Sequence, residues 1–246
     1  MWSVRFHQHG GLDVLRYEEA PQPDLAPGDV PVRVRACALN HLDLWARRGL
    51  PNIRIPMPHI AGSDIAGEVI GSAANDVAIG RRVMLQPGLS CGHGARVFAT
   101  AGSDAKLERA RALGAVEVIH HHEQDIAEEI KRVTNRQGVD VVIEHVGEAT
   151  WPKSVRSLAR GGRLVTCGAT TGRHGILDLA AVFSKQLTIH GSYMGTKGEL
   201  LRVARYFFAG QLKPVIDRTY PLAEAGAAHR RMEESGQFGK IVLELQ

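Results

Sequence analysis

The sequence predicts an α/β protein made of a β-rich, turn-rich N-terminal part followed by a doubly wound parallel sheet, on three observations. Residues 30–36 alternate with period two, as a half-buried strand does. From about residue 94 onward, short apolar strands alternate with helices, the pattern of consecutive βα units. Residues 139–143 read as a strand buried on both faces, which only the interior of a parallel sheet supplies.

In order along the chain, residues 62–71 and 82–85 add two short strands, punctuated by Pro56, Pro58, Gly80 and Pro87. Residues 95–101 form a compact apolar strand. An Ala/Arg/Leu helix over 104–113 follows and stops at Gly114. A strand at 116–119 and a helix at 125–134 lead to the 139–143 strand. Helix 151–158, strand 163–167, strand 187–190 and helix 197–209 complete the second part, and helix 222–235 with strand 240–245 closes the chain. The expected boundaries are therefore 1–93, 94–215 and a returning segment 216–246. No internal repeat or low-complexity segment is present.

Composition narrows the function classes. The 246 residues are 44% apolar and 23% charged, as in ordinary globular proteins, and the 27 glycines suit many tight strand–helix turns. No run approaches the roughly 20 apolar residues of a membrane span, and the first residues do not resemble a secretory signal. The net charge of +4 does not point to nucleic acid, because the basic residues are scattered and no aromatics interleave with them. Cys37, Cys91 and Cys167 are odd in number and widely spaced, which argues against a disulfide framework and for a reducing, cytoplasmic setting.

Several linked motifs in order carry a family resemblance over nearly the whole chain. Pro27-Gly28-Asp29, residues 32–43 (Val-Arg-Val-Arg-Ala-Cys-Ala-Leu-Asn-His-Leu-Asp), residues 58–67 (Pro-His-Ile-Ala-Gly-Ser-Asp-Ile-Ala-Gly) and Gly80-Arg81-Arg82-Val83 resemble the signatures of the medium-chain alcohol dehydrogenase and quinone oxidoreductase family. Leu113-Gly114-Ala115, residues 138–142, residues 161–165 and residues 239–243 follow in the family's order. The resemblance implies a GroES-like β-rich domain and a Rossmann cofactor domain.

Two departures matter as much as the match. Asn40 and Ser63 stand where the zinc alcohol dehydrogenases have cysteine and histidine ligands, and amide and hydroxyl make a poor zinc site. Leu42 stands where those enzymes relay the alcohol proton through a hydroxyl. The resemblance thus implies the zinc-free quinone-oxidoreductase type, with Asn40 beside the nicotinamide and Asp43 with it as candidate catalytic residues. Cys91 and His93 offer only two ligands and read as a surface turn. The second departure is an internal gap: residues 89–93 begin the family's cysteine lobe, and Gly94 already opens the second Rossmann strand. No G-x-G-x-x-G occurs between a strand and a helix, so the main phosphate cradle is missing. In the 3-2-1-4-5-6 strand order the lost strand is central, so its neighbours must close up or another segment must fill the gap.

For the cofactor, the resemblance places Ala101 where NAD-specific enzymes have a carboxylate, leaving room for a 2′-phosphate that Ser103 and Lys106 would bind. Ser103 as a plain N-cap and Lys106 as a solvated charge remain open. His41 matches a family contact to the pyrophosphate, with a plain polar residue at a helix start as the open alternative. Val146, Gly147, Gly168 and Ala169 sit just past strand ends, where ligands bind in open α/β sheets or where glycine simply makes a turn. Lys240 resembles a family lysine near the domain interface and is a candidate cofactor contact, with a solvated strand-end lysine as the open alternative. His120-His121-His122 follow a strand and read as a solvated loop. The expected activity is NADPH-dependent reduction of quinone or enone-like carbonyl compounds, with NADH also possible as cofactor, no metal, a small-molecule substrate and a homodimer through the sheet edge at 187–193. The competing reading is a non-catalytic remnant of the family.

Overall fold

A computed structural model describes residues 1–26, 29–51, 53–62, 64–71, 82–85 and 96–245. The elements are β1 (Trp2–Phe6), β2 (Arg16–Glu19), β3 (Val32–Ala38), α1 (His41–Arg48), β4 (His59–Ile60), β5 (Asp64–Val69), β6 (Arg82–Leu85) and β7 (Phe98–Ala101). They continue with α2 (Asp104–Ala112), β8 (Glu117–His120), α3 (Ile126–Val133), β9 (Val139–Glu144), α4 (Trp151–Ser157), β10 (Leu158–Thr166), α5 (Leu179–Lys185) and β11 (Thr188–Gly191). The last are α6 (Lys197–Phe208), β12 (Ile216–Pro221), α7 (Ala225–Glu233) and β13 (Lys240–Glu244). The architecture is the expected mixture of a β-rich part and a parallel α/β part.

The chain divides into two compact units, Met1–Leu89 with Gly195–Gln246, and Ser90–Met194. This differs from the expected boundary at 215, because α6 and the residues up to β12 fall with the first unit. An amphipathic pattern says that a helix has an apolar side, not which sheet it joins.

The first unit is built on a five-stranded sheet of order β12-β13-β3-β5-β6, with β12 parallel to β13 and the other pairs antiparallel. A second antiparallel sheet runs β2-β1-β4. The closing helix and strand do most of the sealing: Ala225, Ala228 and Met232 of α7 and Ile241 and Leu243 of β13 pack with Leu39, Leu44 and Tyr220 into one buried cluster. Because β13 pairs with β3 (Val242 opposite Ala38, Leu243 opposite Cys37), the C-terminal strand lies directly beside the segment that leads into α1.

The second unit contains two separate parallel sheets, β7-β8 and β9-β10-β11. Among the described residues no strand joins β7 to β9, so the two neighbours of the missing strand do not pair and no described segment takes its place. The helices bind the halves together on one side. Val139 at the start of β9 packs with Phe98 against Ile119, Ile126 and Ile130, and α3 packs on α4, where Arg156 pairs with Asp125 at 3.0 Å.

This arrangement corrects the expectation that residues 139–143 are buried on both faces. Val142, Leu164 and Ile189 form one cross-strand row and pack with Val155 and Trp151 of α4. The opposite row, Ile143–Val165–His190, has no such cover: Ile143 is 65% exposed and Val141 47%, whereas Leu164 is 0%. A doubly wound strand is buried on both faces only if its sheet is complete and helices lie on both sides.

Candidate functional site

The best-organised polar cluster lies in the first unit, where β3, α1, β5 and β13 meet. Asn40 is the N-cap of α1, and the Asp43 carboxylate one turn later accepts the Asn40 backbone N–H at 2.7 Å, the return half of a capping box. Asp43 also accepts the Gly62 N–H at 2.8 Å, so one buried carboxylate ties the start of α1 to the entry of β5. Gly62 has φ +112, and an added Cβ would run into the Cys37 sulfur, so glycine is required there.

Both heteroatoms of the Asn40 amide are engaged. Its Nδ2 donates to Asp64 Oδ2 at 3.1 Å, and its Oδ1 accepts from Lys240 Nζ at 2.6 Å. Lys240 closes the triangle by pairing with Asp64 at 2.8 Å. Asp64 is buried, with Oδ1 unpartnered, while Lys240 remains about a third exposed. Lys240 spends two of its three N–H donors on these partners. Burial pushes the Asp43 carboxyl above the usual carboxylate range, with nearby Asp64 adding to it, although the Asn40 and Gly62 N–H groups and Lys240 act the other way. Burial, then Asp43 and Asp64, pushes the Cys37 thiol up to about 11, so this cysteine is a poor thiolate.

Of the residues expected from sequence, the structure therefore brings Asn40, Asp43 and Lys240 together. His41 lies on α1 with its ring 6.3 Å from Trp45. Asp64 and Cys37 were not singled out beforehand. The available signal was that both lie inside the two motifs flanking Asn40. Ser63, Cys91 and His93 lie outside the described residues. Among the described residues no group of three or more His, Cys, Asp or Glu side chains could hold a metal ion.

The remaining candidates belong to the second unit, where a dinucleotide has a mixed fit. Val146 and Gly147 follow β9, but their N–H groups already donate to the buried Glu144 carboxylate at 2.7 and 3.1 Å. Burial pushes Glu144 up, but the bonds from Ser154, Gly147, Val146 and Thr150 outweigh it and hold the carboxyl below its usual range. This anion-binding turn is thus filled by the chain itself. A Cβ on Gly147 would stand 2.6 Å from Gly172 O and 3.0 Å from Ala169 Cα, and one on Gly168 would stand 2.8 Å from His145 O. These two glycines are needed for loop-on-loop packing, which does not require a cofactor.

The turn from β7 into α2 fits better. Ser103 is the N-cap of α2, yet its hydroxyl makes no capping bond. Lys106 lies in the first turn of that helix. Two imidazoles crowd the same turn: a Cβ on Gly102 would meet His122 Nε2 at 2.6 Å and His121 Nε2 at 3.0 Å. Burial holds the His121 ring below the usual histidine range, and His122, His120, Lys153 and Lys106 add to it by repulsion. Hydroxyl, ammonium and imidazole groups at a helix N-terminus suit a phosphate-bearing ribose. Of the His120–His122 run, expected to be a solvated loop, His120 ends β8, while half-buried His121 and exposed His122 form the following turn with their rings beside Gly102.

The family comparisons agree with the geometry. The Alcohol dehydrogenase GroES-like domain model matches residues 26–127, and the Zinc-binding dehydrogenase model matches residues 89–208. A solved structure of an NAD-dependent alcohol dehydrogenase superposes with a TM-score of 0.91 at 30% identity, covering 100% of both chains. A 2-haloacrylate reductase of Burkholderia sp is 26% identical over 96% of this chain and 97% of its own length. Quinone oxidoreductase 1 of Escherichia coli (strain K12) is 25% identical, covering 98% of each. The chain belongs to the medium-chain dehydrogenase/reductase family of NAD(P)-dependent oxidoreductases, on its alcohol dehydrogenase and quinone oxidoreductase branch. Each of the last two alignments spans 326 positions against the 246 residues of this chain, so at least 80 of those positions face no residue here. The shortfall agrees with an internal gap. The place assigned to it from sequence, residues 89–94, lies outside the described residues.

Proposed function

We propose that this chain reduces quinone or enone-like carbonyl compounds with NADPH and without zinc. The observation that supports the reading is the Lys240–Asn40–Asp64 triangle, in which an ammonium group is held against Asn40, the residue that by resemblance stands where the zinc enzymes have a cysteine ligand. A bound nicotinamide would supply the hydride. As it arrives, the acceptor's oxygen gains negative charge, and a fixed cation beside it is the standard means of stabilising that charge. In this reading Lys240 presents its remaining N–H donor to the oxygen, Asp64 supplies the counter-charge, and Asn40 positions the ammonium through Oδ1. Asp43 holds Asn40 and the β5 entry in place. Ser103 and Lys106, with His121 and His122 beside them, would hold the ribose phosphate that distinguishes NADPH from NADH. A quinone and enone panel with NADPH, followed by cofactor absorbance, tests this. We expect turnover above background that falls roughly 100-fold or more in Lys240→Met; no turnover with any acceptor overturns it.

The split sheet favours a second reading, a non-catalytic remnant, because the strand and glycine loop that cradle the pyrophosphate have no counterpart among the described residues. Calorimetric titration with NADPH separates the two: micromolar binding with a rise in Tm supports the enzyme, and none supports the remnant. Pairing of two copies through β11 is also part of the proposal, supported by Leu179 and Phe183 of α5, the helix that leads into β11, which are 71% and 74% exposed. Sedimentation equilibrium reads it directly.

A further inference from the structure

Parallel strands satisfy their backbone groups only through neighbours on both sides, and an edge left bare is a template for another chain. In the second unit, β7 pairs only with β8 and β9 only with β10, among the described residues. The direction of the chain shows how these free edges relate. Right-handed crossovers place β8 outside β7 and place β10 and β11 outside β9, so the free edges of β7 and β9 are the inner ones. The two half-sheets are not independent. Val139 of β9 packs into the β7–β8–α3 cluster, and α3 packs on α4. The inner edges, unpaired among the described residues, therefore belong to one packed body and, in the 3-2-1-4-5-6 order, lie on either side of the absent strand's place, here called the slot.

The face beside the slot is bare in the same region. The Val142–Leu164–Ile189 row is covered by α4, while Val141 and Ile143, on the other side of β9, are 47% and 65% exposed. A helix arriving with a strand in the slot would enter on that uncovered side, because crossovers running from the slot towards β7 and β8 carry their helices on the face opposite α4 and α5. The relatives' alignments leave at least 80 positions without a residue of this chain, more than enough for the roughly 30 residues of one such unit.

From the two unpaired parallel edges and the exposed Val141–Ile143 side, we propose that the slot between β7 and β9 accepts one strand–helix segment from a second polypeptide. The strand is apolar, runs parallel to both neighbours, and brings an amphipathic helix over Val141 and Ile143. The chain is then a split cofactor domain completed in trans. This does not depend on the activity proposed above, since strand pairing needs neither cofactor nor substrate.

The test uses the whole chain and a synthetic peptide with a strand about 5 residues long, a G-x-G-x-x-G turn and an amphipathic helix; the control has the same composition in scrambled order. Hydrogen exchange followed by mass spectrometry reads Phe98–Ala101 and Val139–Glu144. In the free chain these segments should exchange faster than β10. With peptide they should be protected together, at one peptide per chain, while the outer edge of β11 is unchanged. Ile143→Asp changes an exposed side chain, so the fold is retained, and peptide affinity should fall roughly tenfold or more. The proposal is overturned by slow exchange of both edges in the free chain, which means the slot is already filled. Equal binding of the scrambled control, protection at β11 alone, or an Ile143→Asp affinity equal to that of the parent would also overturn it.

Discussion

In the first unit β3 has a hydrogen-bonded neighbour on each side, β13 and β5, and every polar atom of the Asn40 amide is engaged at the strand's end. In the second unit β9, which should be equally central, has only β10 among the described residues, and two of its apolar side chains face solvent. The two regions differ in what closes them. The first is sealed by a segment from the far end of the chain, with β13 and α7 coming back onto β3 and α1. The second has, among the described residues, no strand that would join its halves. Order in a sheet thus comes from having all the strands, and good local strand propensity in 139–143 does not replace a missing neighbour.

That contrast can be pressed by mutation. The largest expected effect is in the sealed unit. Arg47 is wholly buried and pairs with Glu233 of α7, so Glu233→Gln leaves a buried cation without its counter-ion; denaturant unfolding should show a loss of roughly 3–5 kcal/mol. In the second unit, Leu164→Ala should cost about 3 kcal/mol, because Leu164 is fully buried under α4. On the other side of the same sheet, Ile143→Ala should cost less than about 0.5 kcal/mol, and an equal cost at both positions would show that the Ile143 side is covered.

His229 gives the sealed unit a pH signature. Burial, with Arg47 adding repulsion, lowers its folded pKa from 6.5 to about 4. Between those values the unfolded chain binds the extra proton, so stability rises with pH. The contribution is complete above 6.5 and is lost as pH falls towards 4, by up to about 3 kcal/mol. His229→Gln should flatten that part of the stability profile, and an unchanged profile would assign the slope to other groups. The smallest effect in the sealed unit is at the site itself. Asp43→Ala removes the acceptor of two N–H groups and should cost about 2 kcal/mol. It should also lower turnover without changing NADPH affinity, as expected of a residue that acts by holding Asn40 and the β5 entry in place.

Much of this was legible in the residues. The order of βα units, the choice of Asn40 and Asp43 as site candidates, and the absence of a glycine loop are local facts, each written within a few positions of sequence. The partnership of Lys240 with Asn40 is 200 residues distant in the chain and depends on β13 pairing with β3. Asp64 was hidden for a different reason: a carboxylate in a strand motif reads as a solvated charge until its burial is known. Glu144 was hidden in the same way, since its carboxylate occupies the turn that Val146 and Gly147 were expected to offer a cofactor. The exposure of Val141 and Ile143 could not be read locally either, because an apolar strand carries the same pattern whether or not its neighbour exists.

The sequence by itself determined the family, the two-part α/β plan and the loss of a central segment, because these rest on local periodicity and ordered motifs. Only the tertiary structure decided that Asn40 is held between Lys240 and Asp64, and that among the described residues the second sheet stands in two pieces. Both depend on which distant strands lie side by side, and strand pairing over long separations is set by the packing of the whole unit.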